Sequence, residues 1–377
     1  MQKLYDTREK PKRAFLVSIV NDKKKEAQGR ELKCLAESLA LEIVSHEKIR
    51  VREKSPGYGM GSGKAEELAQ KAGELKADLM VFDWNPSPSQ QRNWEELSGI
   101  PVVDRQELII RIFADRAATR EAELQVKLAE LSYFLPRLTH KYIDLSRQRG
   151  GRYGTKGSGE TKLETDRRKI EKRISQLEKE VELVRKQRQM QRRQRERNNL
   201  PVCAIVGYTN AGKSSLLNAL TGADVPAEDK LFVTLDAVTR RFQPAPGISV
   251  LLTDTVGFIR DLPHTLIKAF HSTLEEAALA DIIIHILDAS DPDIESNYQT
   301  TLTVLKELGA ENIPMITLLN KIDRLQIAES SERTAGLDEL QNLFPDAIAV
   351  SVKEGSGLDL LKERIVSDVR MRSYSVH

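Results

Sequence analysis

A glycine-rich octet, Gly207-Tyr208-Thr209-Asn210-Ala211-Gly212-Lys213-Ser214, stands between the apolar run Val202 to Val206 and the helical pattern Leu216, Leu217, Ala219, Leu220. The spacing fits the G-x-x-x-x-G-K-[ST] phosphate loop in its strand–loop–helix setting. Backbone N–H groups of such a loop, with a helix N-terminus behind them, make a concave anion site. Lys213 adds a positive charge, Ser214 offers a hydroxyl to Mg²⁺, and Ser215 follows at the helix start. The chemistry read from these residues is the binding of nucleotide phosphates.

Four further segments say which nucleotide. Asp254-Thr255-Val256-Gly257 follows the strand-like run Val250 to Leu252. Its Asp254 suits the Mg²⁺ shell through water, and Gly257 lets a backbone N–H approach the γ-phosphate. Asn320-Lys321-Ile322-Asp323 follows the apolar run Met315 to Leu319. The Asp323 carboxylate can accept from guanine N1–H and the 2-amino group, donors that adenine lacks. Pairing of that kind discriminates by roughly 10⁴-fold or more. Ser351-Val352-Lys353 lies where a backbone N–H would meet guanine O6. Leu231-Phe232-Val233-Thr234-Leu235-Asp236 places Phe232 beside the nucleotide and offers Thr234 as a switch threonine for Mg²⁺ and the γ-phosphate, with Thr239 close by as the rival. The five segments, in this order and each at a strand end or between strands, predict a GTPase.

The position after Gly257 carries Phe258, where Ras-like enzymes place a Gln that orients the attacking water. A phenyl ring has no hydrogen-bonding group, so Lys213 and Thr234 are the only candidates for catalysis and unaided hydrolysis is expected to be slow. Asn210 leaves two readings open. It occupies the place of a K⁺-binding Asn in potassium-dependent GTPases, and it is equally a residue that tolerates a loop turn.

The elements that must position this site define three expected parts: a small α/β domain over 1–114, a basic antiparallel helical hairpin over 115–199, and a P-loop GTPase domain over 200–377 with a mostly parallel sheet flanked by helices. In the first part, Phe15 to Val20, Ile43 to Val51, Leu79 to Phe82 and Val102-Val103 read as strands alternating with helices Glu26 to Leu41, Lys64 to Lys76 and Ser89 to Leu97. Its Gly57 to Lys64 stretch looks like a second phosphate loop but puts Tyr58 at the first glycine position and Ala65 at the hydroxyl position. A glycine-rich surface loop is favoured over a second nucleotide site.

In the middle part Leu124, Leu128, Leu131, Leu135, Leu138, Tyr142 and Leu145 alternate spacings of four and three, with Pro136 expected to kink the helix. A second seam runs Leu163, Ile170, Ile174, Leu177, Val181 and Val184, with Arg167 in one apolar slot. About thirty residues per helix give an arm of roughly 45 Å. The connection, 146–160, holds five glycines, four basic residues and one tyrosine. Arg147, Arg149, Arg152, Tyr153 and Lys156 suit phosphate contact and base stacking, against the alternative of a solvated turn.

The formal net charge is +2 over 377 residues, but it is unevenly divided. Residues 200–377 carry 15 Lys+Arg against 25 Asp+Glu, and residues 115–199 carry 23 against 13. A basic segment beside an acidic enzyme domain points to a polyanionic partner met by the middle of the chain. The two cysteines, Cys34 and Cys203, lie far apart in apolar surroundings, which argues for a reducing compartment. No run approaches membrane-spanning length. A cytoplasmic monomer is expected.

The chain resembles the HflX family of translational GTPases over nearly its full length. The resemblance rests on Gly61 to Glu67, Leu135-Pro136-Arg137-Leu138-Thr139-His140, Gly150-Gly151 with Gly157 to Glu160, and Leu163 to Arg168. To these it adds Gly207 to Ser214, Phe232 to Asp236 and Asp254 to Phe258. It implies a GTPase that binds the large ribosomal subunit and its rRNA, with no DNA partner. The arm tip would approach the peptidyl transferase centre, and the GTP-bound form would separate stalled or idle subunits. It also implies a hydrophobic residue at position 258 and stimulation of hydrolysis by the ribosome. Some members carry a further small domain where this sequence stops, at His377, and some use ATP through the N-terminal region. Two rival readings stand beside this one: a potassium-dependent GTPase in RNA modification, folding or ribosome assembly, and an RNA-binding module whose GTPase fold only gates docking.

Overall fold

The computed structural model describes residues 12–20, 26–51, 53, 55–138, 158–196, 200–226, 228, 230–260, 271–325 and 330–375. The chain forms two compact units, one of Met1–Asp115 with Val126–Lys179, the other of Arg116–Gln125 with Glu180–His377.

The first unit alternates strands β1 (Arg13–Ile19), β2 (Glu42–Ile49), β3 (Leu79–Phe82) and β4 (Val102–Asp104) with helices α1 (Glu26–Ser38), α2 (Ser62–Glu74), α3 (Pro88–Ser98) and α4 (Arg105–Arg116). All neighbouring strands are parallel, in the order β2-β1-β3-β4. The sequence dictates this arrangement locally. The central strands β1 and β3 are buried almost throughout, as strands covered on both faces must be. Helix α3 begins with a capping box between Ser87 and Gln90, has a proline in its first turn, and stops at Gly99 with φ 72°. Phe15, Val17, Met80, Phe82 and Trp94 form the centre of the core.

The glycine-rich stretch before α2 belongs to this core's rim. Trp94 Nε1 donates to Tyr58 O at 3.0 Å, Asn93 Nδ2 donates to Gly57 O at 2.9 Å, and the Tyr58 ring meets Trp94 edge-on at 5.5 Å. Met60 is buried. The loop therefore has a packing role that accounts for its Tyr58, and Gly59, at φ 74°, supplies its left-handed turn.

Helix α5 (Arg120–Phe134) ends where Pro136 removes a backbone donor, and Leu135–Arg137 continues as a single 3-10 turn. Pro136 thus ends the α-helix among the described residues, where a kink was expected. Arg137 closes the turn: its guanidinium lies 3.7 Å over the Tyr133 ring and pairs with the buried Asp104 at 3.0 Å. The expected leucine seam is not the most shielded face. Ala122, Val126, Ala129, Leu131 and Tyr133 are buried, whereas Leu124, Leu128, Leu135 and Leu138 are half-buried. Shielding spreads beyond an a/d stripe, as on a helix covered by more than one neighbour.

Helix α6 (Ser158–Glu196) spans 39 residues. Its shielded stripe is Ile170, Ile174, Leu177, Val181 and Val184, as the heptad spacing predicts, with Leu177 fully buried and Arg167 exposed. Arg147, Arg149, Arg152, Tyr153 and Lys156, along with Tyr142 and Leu145, lie outside the described residues.

The second unit is built on a six-stranded sheet, ordered β10-β9-β8-β5-β7-β6. Its strands are β5 (Val202–Gly207), β6 (Val238–Ala245), β7 (Ile248–Asp254), β8 (Ile282–Asp288), β9 (Met315–Asn320) and β10 (Ile348–Ala349). Only the β6–β7 hairpin is antiparallel. Helices α7 (Lys213–Thr221), α8 (His271–Ala278), α9 (Ile294–Glu307), α10 (Ser330–Leu343) and α11 (Leu358–Ser375) complete the unit. Alternate residues Cys203, Ile205, Ile284, Ile286, Ile316 and Leu318 join Leu216, Leu217, Leu361 and Ile365 in one core. A smaller core joins Leu287, Leu319, Ile294 and Phe344. Among the described residues no helix is long and apolar enough to cross a membrane.

Candidate nucleotide site

The carboxyl ends of β5, β7, β9 and β10 carry four of the five segments and the fifth leads into β6, all at one edge of the sheet, the place where open α/β sheets bind ligands. Strand β5 ends at Gly207, the loop turns over Tyr208 to Gly212, and Lys213 opens α7. Gly212 has φ 105°, and a Cβ there would sit 2.4 Å from Asn320 Nδ2, so no other residue fits. Asn320 explains the tightness: Nδ2 donates to Ala211 O at 2.8 Å, and Oδ1 accepts from Val352 N–H at 3.1 Å. One side chain clamps the phosphate loop to the Ser351–Lys353 segment. Lys321 adds a second clamp, donating to Asn210 O at 2.7 Å and pairing with Asp288 at 2.8 Å.

The base-reading residues stand ready around this clamp. Asp323 Oδ1 accepts from the buried Ser351 Oγ at 2.6 Å, a bond that lowers the carboxyl's pKa and keeps it an acceptor. Ser351 Oγ also accepts from Glu354 N–H at 3.2 Å, which fixes the loop carrying Val352 and Lys353. Because Val352 N–H is already held by Asn320, a bond from it to the base would be a shared one.

At the phosphate end a cavity is lined by Thr209, Asn210, Gly212, Lys213, Ser214, Ser215, Phe232, Val233, Thr234 and Gly257, with Glu228 and Lys230 at its edge. Lys213 Nζ donates to Tyr208 O at 2.9 Å, and burial pulls its ammonium down to about 8 despite Asp254 nearby. Ser214 Oγ lies 2.7 Å from Thr234 Oγ1 and donates to Asp254 Oδ2 at 2.7 Å. Thr239 is instead turned to Thr253 across the β6–β7 hairpin at 3.0 Å, which leaves Thr234 as the threonine at the site. Asp254 Oδ1 is buried with no partner among the described residues, and burial raises the carboxyl's pKa. A carboxylate with an unsatisfied oxygen beside two hydroxyls is a donor set that fits Mg²⁺. When bound there, the ion would neutralise charge on the phosphate oxygens.

Phe258 is fully buried, and its backbone is bonded into the loop: its N–H donates to Gly207 O at 3.1 Å, and its carbonyl accepts from Thr209 N–H at 2.8 Å. The ring offers nothing to a water molecule. Asn210 has φ 62°, a left-handed turn conformation that Asn tolerates better than most residues. Phe232 also has positive φ, 56°, unusual for an aromatic residue and a mark of local strain beside the cavity. Sequence reasoning missed the Asn320 clamp, the cavity-edge pair Glu228 and Lys230, and the Tyr208 hydroxyl, which accepts from Arg260 N–H at 3.0 Å. Asn320 and Tyr208 sit within motifs, but these contacts depend on groups brought from other segments, and Glu228 and Lys230 belong to no motif.

Family models match three consecutive stretches: a GTP-binding GTPase N-terminal region over residues 26–114, a GTP-binding GTPase middle region over 116–195, and a 50S ribosome-binding GTPase over 202–321. GTPase HflX of Akkermansia muciniphila is 45% identical over 393 residues, covering 99% of this chain and 89% of that protein. GTPase HflX of Escherichia coli strain K12 is 39% identical over 371 residues, covering 97% of this chain and 86% of that one. The crystal structure of an SsGBP and GDP complex is similar with TM-score 0.51 and 26% identity, covering 96% of this chain and 99% of that one. With relatives this close over nearly its whole length and a GTPase site assembled at its sheet edge, the chain belongs to the HflX family and its activity is GTP hydrolysis.

Proposed function

We propose that this chain is a GTP-switched factor that binds the large ribosomal subunit and separates stalled or idle ribosomes. In this reading residues 1–114, 115–199 and 200–377 act as a docking domain, a basic arm and a timing domain. The observation that carries the reading is Phe258. Lys213, Ser214, Thr234 and Asp254 are assembled for phosphate and Mg²⁺, yet the place from which Ras-like enzymes order water holds a fully buried ring. Such a site binds GTP and waits for a partner. The match to a 50S ribosome-binding GTPase supports a ribosomal partner. So does the excess of basic residues in 115–199, which suits rRNA phosphates.

In this role Lys213 and the loop N–H groups hold the β- and γ-phosphates, Asp323 selects guanine, and Thr234 reports the γ-phosphate to the switch segment. Arg147, Arg149, Arg152, Tyr153 and Lys156 carry the contact of the arm tip with rRNA. Potassium is not needed to account for Asn210, because its left-handed backbone already selects that residue type. Exchange of sodium for potassium should leave the rate unchanged.

The test is the rate of GTP hydrolysis by the full chain alone, with large subunits, with small subunits, and with protein-free rRNA. Stimulation of at least several-fold by large subunits only is expected. Equal stimulation by protein-free RNA would favour an RNA-folding or modification factor, and no stimulation by any of them would remove the ribosomal reading.

A further inference from the structure

Among the hydroxyl-bearing residues that line the cavity are Thr209, Ser214 and Thr234. Ser214 and Thr234 are engaged with each other and with Asp254. Thr209 differs. Its residue is 6% exposed, and its Oγ1 is buried with no hydrogen-bond partner among the described residues. Buried hydroxyls in folded proteins are bonded as a rule, so an orphan in a binding site calls for a partner that arrives with the ligand.

The position of Thr209 says which part of the ligand that is. Its backbone is fixed, because its N–H donates to Phe258 O at 2.8 Å. A Cβ added to Gly257 would lie 2.8 Å from Thr209 Cγ2, 2.9 Å from Thr209 Cα and 2.9 Å from Lys213 Nζ. The Thr209 methyl, the Lys213 ammonium and the Gly257 backbone therefore converge on one point, and rotation about the Thr209 Cα–Cβ bond would bring the hydroxyl to the place the methyl now holds. Lys213 and Gly257 are the groups that address the terminal phosphate in phosphate-loop enzymes. Thr209 thus lies at the γ-phosphate end, next to the residue, Phe258, that cannot order water.

We propose that the Thr209 hydroxyl is a catalytic group of the basal reaction, standing in for the absent Gln. A hydroxyl can accept one hydrogen bond and donate another at the same time. Thr209 Oγ1 accepts from the attacking water and donates to a γ-phosphate oxygen, which holds the water in line with the bond to be broken. The water oxygen bonds to the γ-phosphorus, the bond from phosphorus to the β–γ bridging oxygen breaks, and that electron pair leaves on GDP. Both of the water's protons end on inorganic phosphate, and the threonine keeps its own. This role requires only GTP hydrolysis by the chain itself and is independent of any ribosomal partner.

The experiment compares Thr209→Val, Thr209→Ser and Thr209→Ala in the full chain with Mg²⁺ and without ribosomes. Thr209→Val keeps the shape and removes the hydroxyl. It should slow single-turnover GTP hydrolysis roughly tenfold to hundredfold, the scale of a lost transition-state contact. Affinity for a fluorescent GDP analogue should stay within about twofold, because GDP lacks the group that Thr209 addresses. Capture of aluminium fluoride with GDP should weaken in parallel with the rate, and Thr209→Ser should restore both. Wild-type hydrolysis and fluoride capture in Thr209→Val would overturn the proposal. An equal loss of GDP affinity in Thr209→Ala and Thr209→Ser, with no difference in rate between them, would also overturn it by reducing Thr209 to loop packing. If Thr209→Val does not fold, the Ser and Ala pair decides: a fast Ser variant beside a slow Ala variant supports the hydroxyl.

Discussion

Asp83 lies 3.3 Å from the Arg105 guanidinium, yet burial pushes its carboxyl up to about 7, and Glu31, which shares Arg105 at 2.6 Å, adds to the rise. Its folded pKa is above the unfolded one, so the stability it contributes is full below about pH 4 and is lost as the pH rises toward 7. Both tryptophans of the chain, Trp84 and Trp94, lie in the first unit, so intrinsic fluorescence reports on that unit alone. Thermal unfolding followed this way should occur at lower temperature at pH 8 than at pH 5, reflecting a stability loss of about 1–3 kcal/mol. Asp83→Asn should flatten the difference; an unchanged pH profile would show that Asp83 stays charged. At the nucleotide site Lys213→Ala removes a charge-assisted phosphate contact of about 3 kcal/mol and should weaken GDP binding roughly hundredfold. Tryptophan fluorescence of that variant should stay native. Residues such as Lys213, Asp254 and Asp323 were legible in the sequence because their type and spacing are dictated by the ligand. Asn320's clamp and Thr209's orphan hydroxyl were not, because each depends on which backbone groups another segment brings to it.

Among the elements, strands were easier to read than helix faces. The apolar runs that become β1, β3 and β5 are buried on both faces, and hydrophobicity alone marks them. The α6 stripe was equally plain, since a mostly exposed helix leaves only one face to shield. The α5 face was not, because shielding from several sides hides the seam and buries alanines and a glutamine that no apolar pattern selects. Helix α5 also starts from a cap without a motif signature. Thr119 Oγ1 accepts from Ala122 N–H at 3.2 Å while donating to Asp236 at 2.6 Å, two residues beyond Thr234. Thr119→Ala should loosen the first turn of α5 by about 1 kcal/mol. Amide exchange at Ala122 and Glu123 should then rise roughly fivefold. Unchanged exchange there would mean that packing alone holds the turn.

For the whole molecule, the division of charge supports the proposed ribosomal role. Residues 200–377 are acidic and residues 115–199 basic, so the enzyme domain does not compete for the polyanion that the middle of the chain attracts. Replacing Arg147, Arg149 and Arg152 together should weaken ribosome separation at least several-fold while sparing hydrolysis in the absence of ribosomes. Retained separation would reduce the tip to a solvated turn. The most direct test of the central claim is a sedimentation profile of intact ribosomes incubated with the full chain and a non-hydrolysable GTP analogue or GDP. Separate subunit peaks are expected with the analogue, the chain travelling with the large subunit, and intact ribosomes with GDP. Intact ribosomes in both profiles, with the chain left at the top of the gradient, would contradict that claim.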